Sequence, residues 1–93
     1  NPFDAVQGGI VFAVVTEAAQ LATERIRGID ETIRLTELSV DLLRSPHGSS
    51  TYDWAVAFTR LGRRMVTMTV TITDGRGREY ARATCTAFRA LRE

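Results

Sequence analysis

The chain has 93 residues, 44% of them hydrophobic, enough for one domain with one core, though a core that small often leans on a partner. Twelve basic residues, every one an arginine, stand against eleven acidic ones, and a formal charge of +1 is far from the basic stripe of a nucleic-acid surface. A single cysteine, Cys85, excludes an internal disulfide, no Cys/His cluster has metal-ligand spacing, and the apolar run from Ile10 to Val15 is too short to span a bilayer; the expectation is a cytoplasmic, metal-free protein that oligomerises.

The chain opens without an initiator Met, on a segment that ought to follow something. A single domain is therefore expected over residues 1–93, either lacking a further N-terminal strand or preceded by one. From Gly9 to about Arg27, apolar residues recur as Ile10, Ala13, Val14, Ala18, Leu21, Ala22 and Ile26, a helical spacing. Small residues at Ala13, Ala18, Ala19 and Ala22 would let another element approach closely, and Gly28 suits a C-terminal stop. Gln7-Gly8-Gly9 stands where the helix is predicted to start. The unpaired N–H groups and partial positive charge of such an end can hold an oxyanion, and glycine lets a ligand come close to the backbone. A tight turn is the plainer reading of the same pair. Glu17 is a lone acid in this apolar helix.

The remainder reads as four strands rich in Thr and Val. In Thr32 to Arg44, Ile33 and Leu35 occupy one phase while Leu38, Val40 and Leu42 occupy the other, and a bulge at Thr36-Glu37 reconciles them. Ser45-Pro46-His47-Gly48-Ser49 is a loop, and its histidine is most simply a solvated one. Tyr52 to Arg60 places Tyr52, Trp54, Val56 and Phe58 on one side, as core or interface. Leu61-Gly62-Arg63 links it to Arg64–Thr73, where Val66, Met68, Val70 and Ile72 alternate with threonines, giving one buried and one threonine-covered face. Asp74-Gly75-Arg76-Gly77 turns the chain, and Glu79 to Leu91 returns with Ala81, Ala83, Cys85 and Ala87 on a small-residue face fit to lie under a helix. Cys85 on that face reads as a packing residue rather than a nucleophile.

One helix followed by four antiparallel strands is an α+β arrangement in which a long central helix is wrapped by a curved antiparallel sheet. Two architectures have that order: the hotdog fold, which normally carries another strand before the helix, and the cystatin-like fold, which does not.

Asn1, five residues, Gln7-Gly8-Gly9 and an alanine-rich helix resemble the Asn-x5-His-Gly-Gly-helix signature of hotdog-fold acyl-CoA thioesterases, particularly the phenylacetate-pathway type. Three further stretches resemble the family in order: LSVDLLRSP its strand ending in a proline loop, LGRRMVTMTVTITDGRG its Gly-Arg hairpin and following strand, and YARATCTAF its closing strand. The resemblance implies hydrolysis of an acyl-CoA thioester, with coenzyme A as part of the substrate and no other cofactor. It implies that the amide of Gly8, with Gly9 beside it, polarises the thioester carbonyl and that Asn1 helps hold substrate or water. Thr36, ten residues before Pro46, would support the attacking water.

Two positions depart from the pattern. Gln7 replaces the family histidine, keeping a hydrogen-bonding side chain but no titratable one. The catalytic acid expected seven residues after the second glycine is Thr16, with Glu17 one step further and about 100° round the helix. If Glu17 reaches the thioester it would act as general base or nucleophile, with a pKa raised by burial; otherwise it is a solvated or interface residue. Arg60, Gly62, Arg63 and Arg64 form a hairpin mouth whose arginine fork suits CoA phosphates, or else a charged turn that protects a sheet edge. His47 would contact substrate across a dimer interface. Family members work as dimers or dimers of dimers, so a homodimer or homotetramer is expected, with no nucleic-acid or membrane partner. Two alternatives stand beside the hydrolase: a non-catalytic hotdog domain that binds acyl-CoA or an acyl-carrier protein, and a cystatin-like binding module.

Overall fold

A computed structural model describes residues 2–43 and 52–91, with side chains described from Gly9 onward in the helix. The chain forms α1 (Pro2–Ile26), β1 (Glu31–Leu42), β2 (Tyr52–Leu61), β3 (Met65–Asp74) and β4 (Glu79–Leu91). The four strands make one antiparallel sheet in the order β1-β4-β3-β2, so β3 and β4 are central and β1 and β2 are edges. The helix lies on one face only, giving a slab of 46 × 26 × 17 Å whose other face is left uncovered by the described residues.

Strand alternation decides which face is covered. Val66, Met68, Val70 and Ile72 of β3 and Ala81, Ala83, Cys85 and Ala87 of β4 are buried beneath α1, as their period of two requires. The alanines of β4 let the helix settle close, and Val11, Val15, Ala18 and Ala19 meet them from above. Asp74 closes the β3–β4 turn: its Oδ1 accepts from the N–H groups of Arg76 (2.9 Å) and Arg78 (3.0 Å). Gly77 supplies the positive φ of 78° that this turn needs.

Two features differ from the sequence reading. The buried stripe of α1 runs through Val11, Val15, Ala18, Ala19 and Thr23, whereas Ile10 and Leu21 are about half exposed. Residues 10 to 15 are apolar on every side of the helix, so hydrophobic spacing alone does not fix its rotation. The helix also starts at Pro2, seven residues before Gly9. Proline suits a first helical position, having no N–H to leave unpaired and φ already set. The glycine pair is thereby carried inside α1 rather than standing at its amino end.

The expected β1 bulge is present. The register with β4 shifts between Leu35 and Glu37, so Thr36 and Glu37 together face Thr86. A second shift, between Phe58 and Arg60, leaves Thr59 as the extra residue of β2 opposite Thr67. Because Thr67 and Thr86 are themselves paired, both bulges lie on one transverse row of the sheet. Bulges at the two edges of a row increase the local twist and curl the sheet around the helix.

Candidate active site

Beside the helix, where it passes over β2, a cleft of about 330 Å³ opens between the two. Val14, Glu17, Ala18 and Leu21 line it from α1, and Tyr52, Asp53, Trp54 and Ile72 from the sheet. It continues past Leu21 and Trp54 into a groove of about 520 Å³ along Ala22, Arg25, Val56 and Phe58. Tyr52 packs against Tyr80 at 5.0 Å between ring centres and walls the end nearer the helix start. The aromatic stripe of β2 is thus neither fully core nor free surface: Trp54 is 48% exposed and forms the floor of an apolar trough.

The two candidates for the acid position separate here. Glu17 is exposed and lines the cleft. Thr16 does not line it; its hydroxyl donates to the Phe12 carbonyl at 2.8 Å, one helical turn back. Two residues along a helix turn the chain by about 200°, so Thr16 lies on the flank away from Val14, above the β1 half of the sheet.

The other predicted residues are not gathered around Glu17 in one chain. Thr36 lies on the uncovered face of β1, the sheet standing between it and the helix, and its hydroxyl donates to the Thr86 carbonyl at 3.3 Å. Gly62, Arg63 and Arg64 form the β2–β3 turn at the helix C-terminal end, where Arg89 contacts the carbonyls of both Gly62 and Ile26. Gly9 is seventeen residues from Ile26, roughly 25 Å along the axis. Gln7 and Gly8 belong to the helical backbone; Asn1, Pro46 and His47 lie outside the described residues. Cys85 is fully buried and its thiol pKa is pushed up by that burial, which leaves it a packing residue.

Sequence reasoning missed one polar centre. Glu31, at the start of β1, and Arg89, on β4, pair through two bonds of 3.0 and 3.1 Å, and the Glu31 carboxyl is held below the usual carboxylate range mainly by that contact. The signal was available: Arg89 continues the phase of Ala81, Ala83, Cys85 and Ala87, a charged residue in an otherwise apolar row.

Over residues 1–88 the sequence matches the profile of the acyl-CoA thioesterase N-terminal domain. The chain belongs to that family. No curated protein matches it. Among solved structures it is similar to a thioesterase from Haemophilus influenzae, at a TM-score of 0.83 and 18% identity, covering 90% of this chain and 58% of that one. It is also similar to a Bacillus halodurans protein solved with CoA, at a TM-score of 0.80 and 16% identity, covering 89% and 54%. A third is a Streptococcus mutans protein bound to acetyl-CoA, at a TM-score of 0.77 and 23% identity, covering 92% and 68%. The shared architecture is the hotdog fold, and the cystatin-like alternative falls away. The chain spans little more than half the length of the first two of these structures. Among the described residues, no helix is long and apolar enough to cross a membrane.

Proposed function

We propose that this domain serves an acyl-CoA thioesterase that hydrolyses the thioester to a free acid and CoA. The observation that carries the reading is Glu17, a carboxylate on the wall of an apolar cleft in a chain of the acyl-CoA thioesterase family. The carboxylate would take a proton from water as its oxygen attacks the thioester carbon, and would return it to the departing CoA sulfur as the tetrahedral intermediate collapses. Amides at Gly8 and Gly9 would stabilise the oxyanion. Within α1 those N–H groups are committed to carbonyls four residues back, so this role requires the turns before Gly8 to leave the helix. Two adjacent glycines make that the point where α1 opens most readily, each costing about 1 kcal/mol of helix stability relative to alanine.

Asn1, Gln7 and Thr36 would arrange substrate and water, and Gly62, Arg63 and Arg64 would meet the CoA phosphates. Thr36 and the hairpin stand across the sheet and at the far end of the helix from Gly8, so the complete site is read as forming between two copies, in a homodimer or homotetramer. The neighbours solved with CoA and acetyl-CoA support an acyl-CoA ligand. A cytoplasmic location accompanies this reading and rests on the lone buried cysteine.

A second reading has its own support. The family profile describes an N-terminal domain, and Thr16, in the family acid position, turns its hydroxyl back onto its own helix. Both suit a non-catalytic hotdog half that binds acyl-CoA or an acyl-carrier protein.

Thiol release from a panel of acyl-CoAs separates the two. Glu17→Gln should lower kcat by about 10²–10⁴-fold, the usual range for a general base, while Thr16→Ala stays near wild type. Full activity in Glu17→Gln removes Glu17 as base. A folded dimer that binds CoA but releases no thiol establishes the binding domain, and a monomer without affinity for CoA removes both readings.

A further inference from the structure

We propose that Arg89 is a positioning residue that holds the Gly62–Arg64 hairpin in the geometry that presents its arginine pair to a phosphorylated ligand; the inference rests on the reading of that hairpin as the CoA-phosphate element. The turn is closed by one short backbone bond, Gly62 N–H to the Met65 carbonyl at 2.9 Å, and a Cβ at Gly62 would lie 2.6 Å from that same carbonyl oxygen. Its remaining ties come from outside. Arg89 Nη1 donates to the Gly62 carbonyl at 3.4 Å and the Arg89 backbone N–H donates to the Arg64 carbonyl at 2.7 Å. The carbonyls on either side of Arg63 are therefore both held by one residue.

The same guanidinium reaches two further segments. Its Nη2 donates to the Ile26 carbonyl at the end of α1 (3.4 Å) and, with Nε, it forks onto the Glu31 carboxylate. Glu31 is in turn fixed by the Gly28 N–H at 3.2 Å, and Arg27 Nη1 donates to the Glu31 carbonyl at 3.0 Å. Helix end, first strand and hairpin are thus joined through a single planar group whose donors match three acceptors in fixed directions. With its charge balanced by Glu31, Arg89 itself has little left to offer a phosphate. Arg63 and Arg64, by contrast, are exposed, and among the described residues neither forms an ion pair. The division is between a neutralised clamp and two free cations on the turn that it clamps.

The test uses the whole chain and two ligands, CoA and pantetheine, which lacks the nucleotide and its phosphates. Dissociation constants are measured for wild type, Arg89→Lys, Glu31→Gln and the double variant Arg63→Ala/Arg64→Ala, with thermal melts to confirm folding. Lysine keeps the charge and the Glu31 partner but loses the fork, so Arg89→Lys should weaken CoA about tenfold, the worth of one lost charge-assisted hydrogen bond, and leave pantetheine unchanged. Glu31→Gln should shift CoA in the same direction by less, and serves alone if Arg89→Lys does not fold. Unchanged CoA affinity in folded Arg89→Lys, with a loss in the double variant, overturns the positioning role while the hairpin reading stands. Unchanged CoA affinity in the double variant overturns the hairpin reading and the inference together.

Discussion

Gly9→Ala tests where the helix begins, because the two possible positions give opposite signs. Gly9 is the eighth residue of α1, beyond the first four whose amides lack helical partners, and a Cβ built there meets nothing within 4 Å. Alanine therefore enters without steric cost and restricts the unfolded chain, which should stabilise the fold by about 0.8–1 kcal/mol. For a domain of this size that is a rise in Tm of about 4–8 °C. Had the helix started at the pair, Gly9 would stand at a cap, where alanine is worse than glycine, and the same change would lower Tm by a similar amount. Differential scanning calorimetry on the two proteins reads the sign directly. A fall in Tm refutes the helix start at Pro2. Thiol release measured beside it bears on the proposed oxyanion site: if the turns before Gly8 must open to free those amides, stiffening them raises Tm and lowers kcat in the same variant.

Met68→Ala should destabilise by about 2–5 kcal/mol, since Met68 is fully buried between the helix and the central strands; urea unfolding measures it, and a loss below 1 kcal/mol would mean the site collapses freely. The lowered pKa of Glu31 predicts acid sensitivity of a definite sign. A carboxyl more acidic in the fold than in the unfolded chain contributes stability above its ordinary value of 4.5, and loses that contribution as pH falls through the lower folded value. Wild-type Tm should therefore fall more steeply than that of Glu31→Gln on acidification from about pH 5 to pH 3, and parallel curves would show that the pair contributes nothing.

The strands were legible because one face of the sheet is buried and a period of two leaves no freedom in which residues face it. Even the β1 bulge was legible, since Leu35 and Leu38 reach the same face only if one residue is skipped between them. The β2 bulge follows the same logic through Phe58 and Leu61, but Leu61 is 59% exposed at the strand end and carries the pattern weakly. The helix was legible as an element and not in its rotation or its start, because its first half is apolar on all sides and its opening residues are all tolerated in a helix. Arg89 showed in the sequence only as a charged residue continuing an apolar row, which marks its face but not its role; that comes from the partners Glu31, Gly62 and Ile26, which lie in three other segments.

A one-residue difference in the acid position is larger than it looks in the sequence. Val11, Val15, Ala18 and Ala19 fix which side of α1 rests on the sheet, and that leaves two flanks. Val14 and Leu21 mark the flank above β2, where Glu17 joins them on the cleft wall; Thr16 belongs to the flank above β1. An acid at 16 and an acid at 17 therefore serve different sides of the helix, not two placements within one site. The side that Glu17 serves ends at β2, an edge strand whose backbone has no neighbour beyond it among the described residues and whose Trp54 is half exposed. An unpaired edge beside an apolar trough is a surface that another copy can cover. Glu17 as base and a site completed by a second copy are thus one hypothesis, because the carboxylate faces the side where the described residues offer nothing further to enclose a substrate.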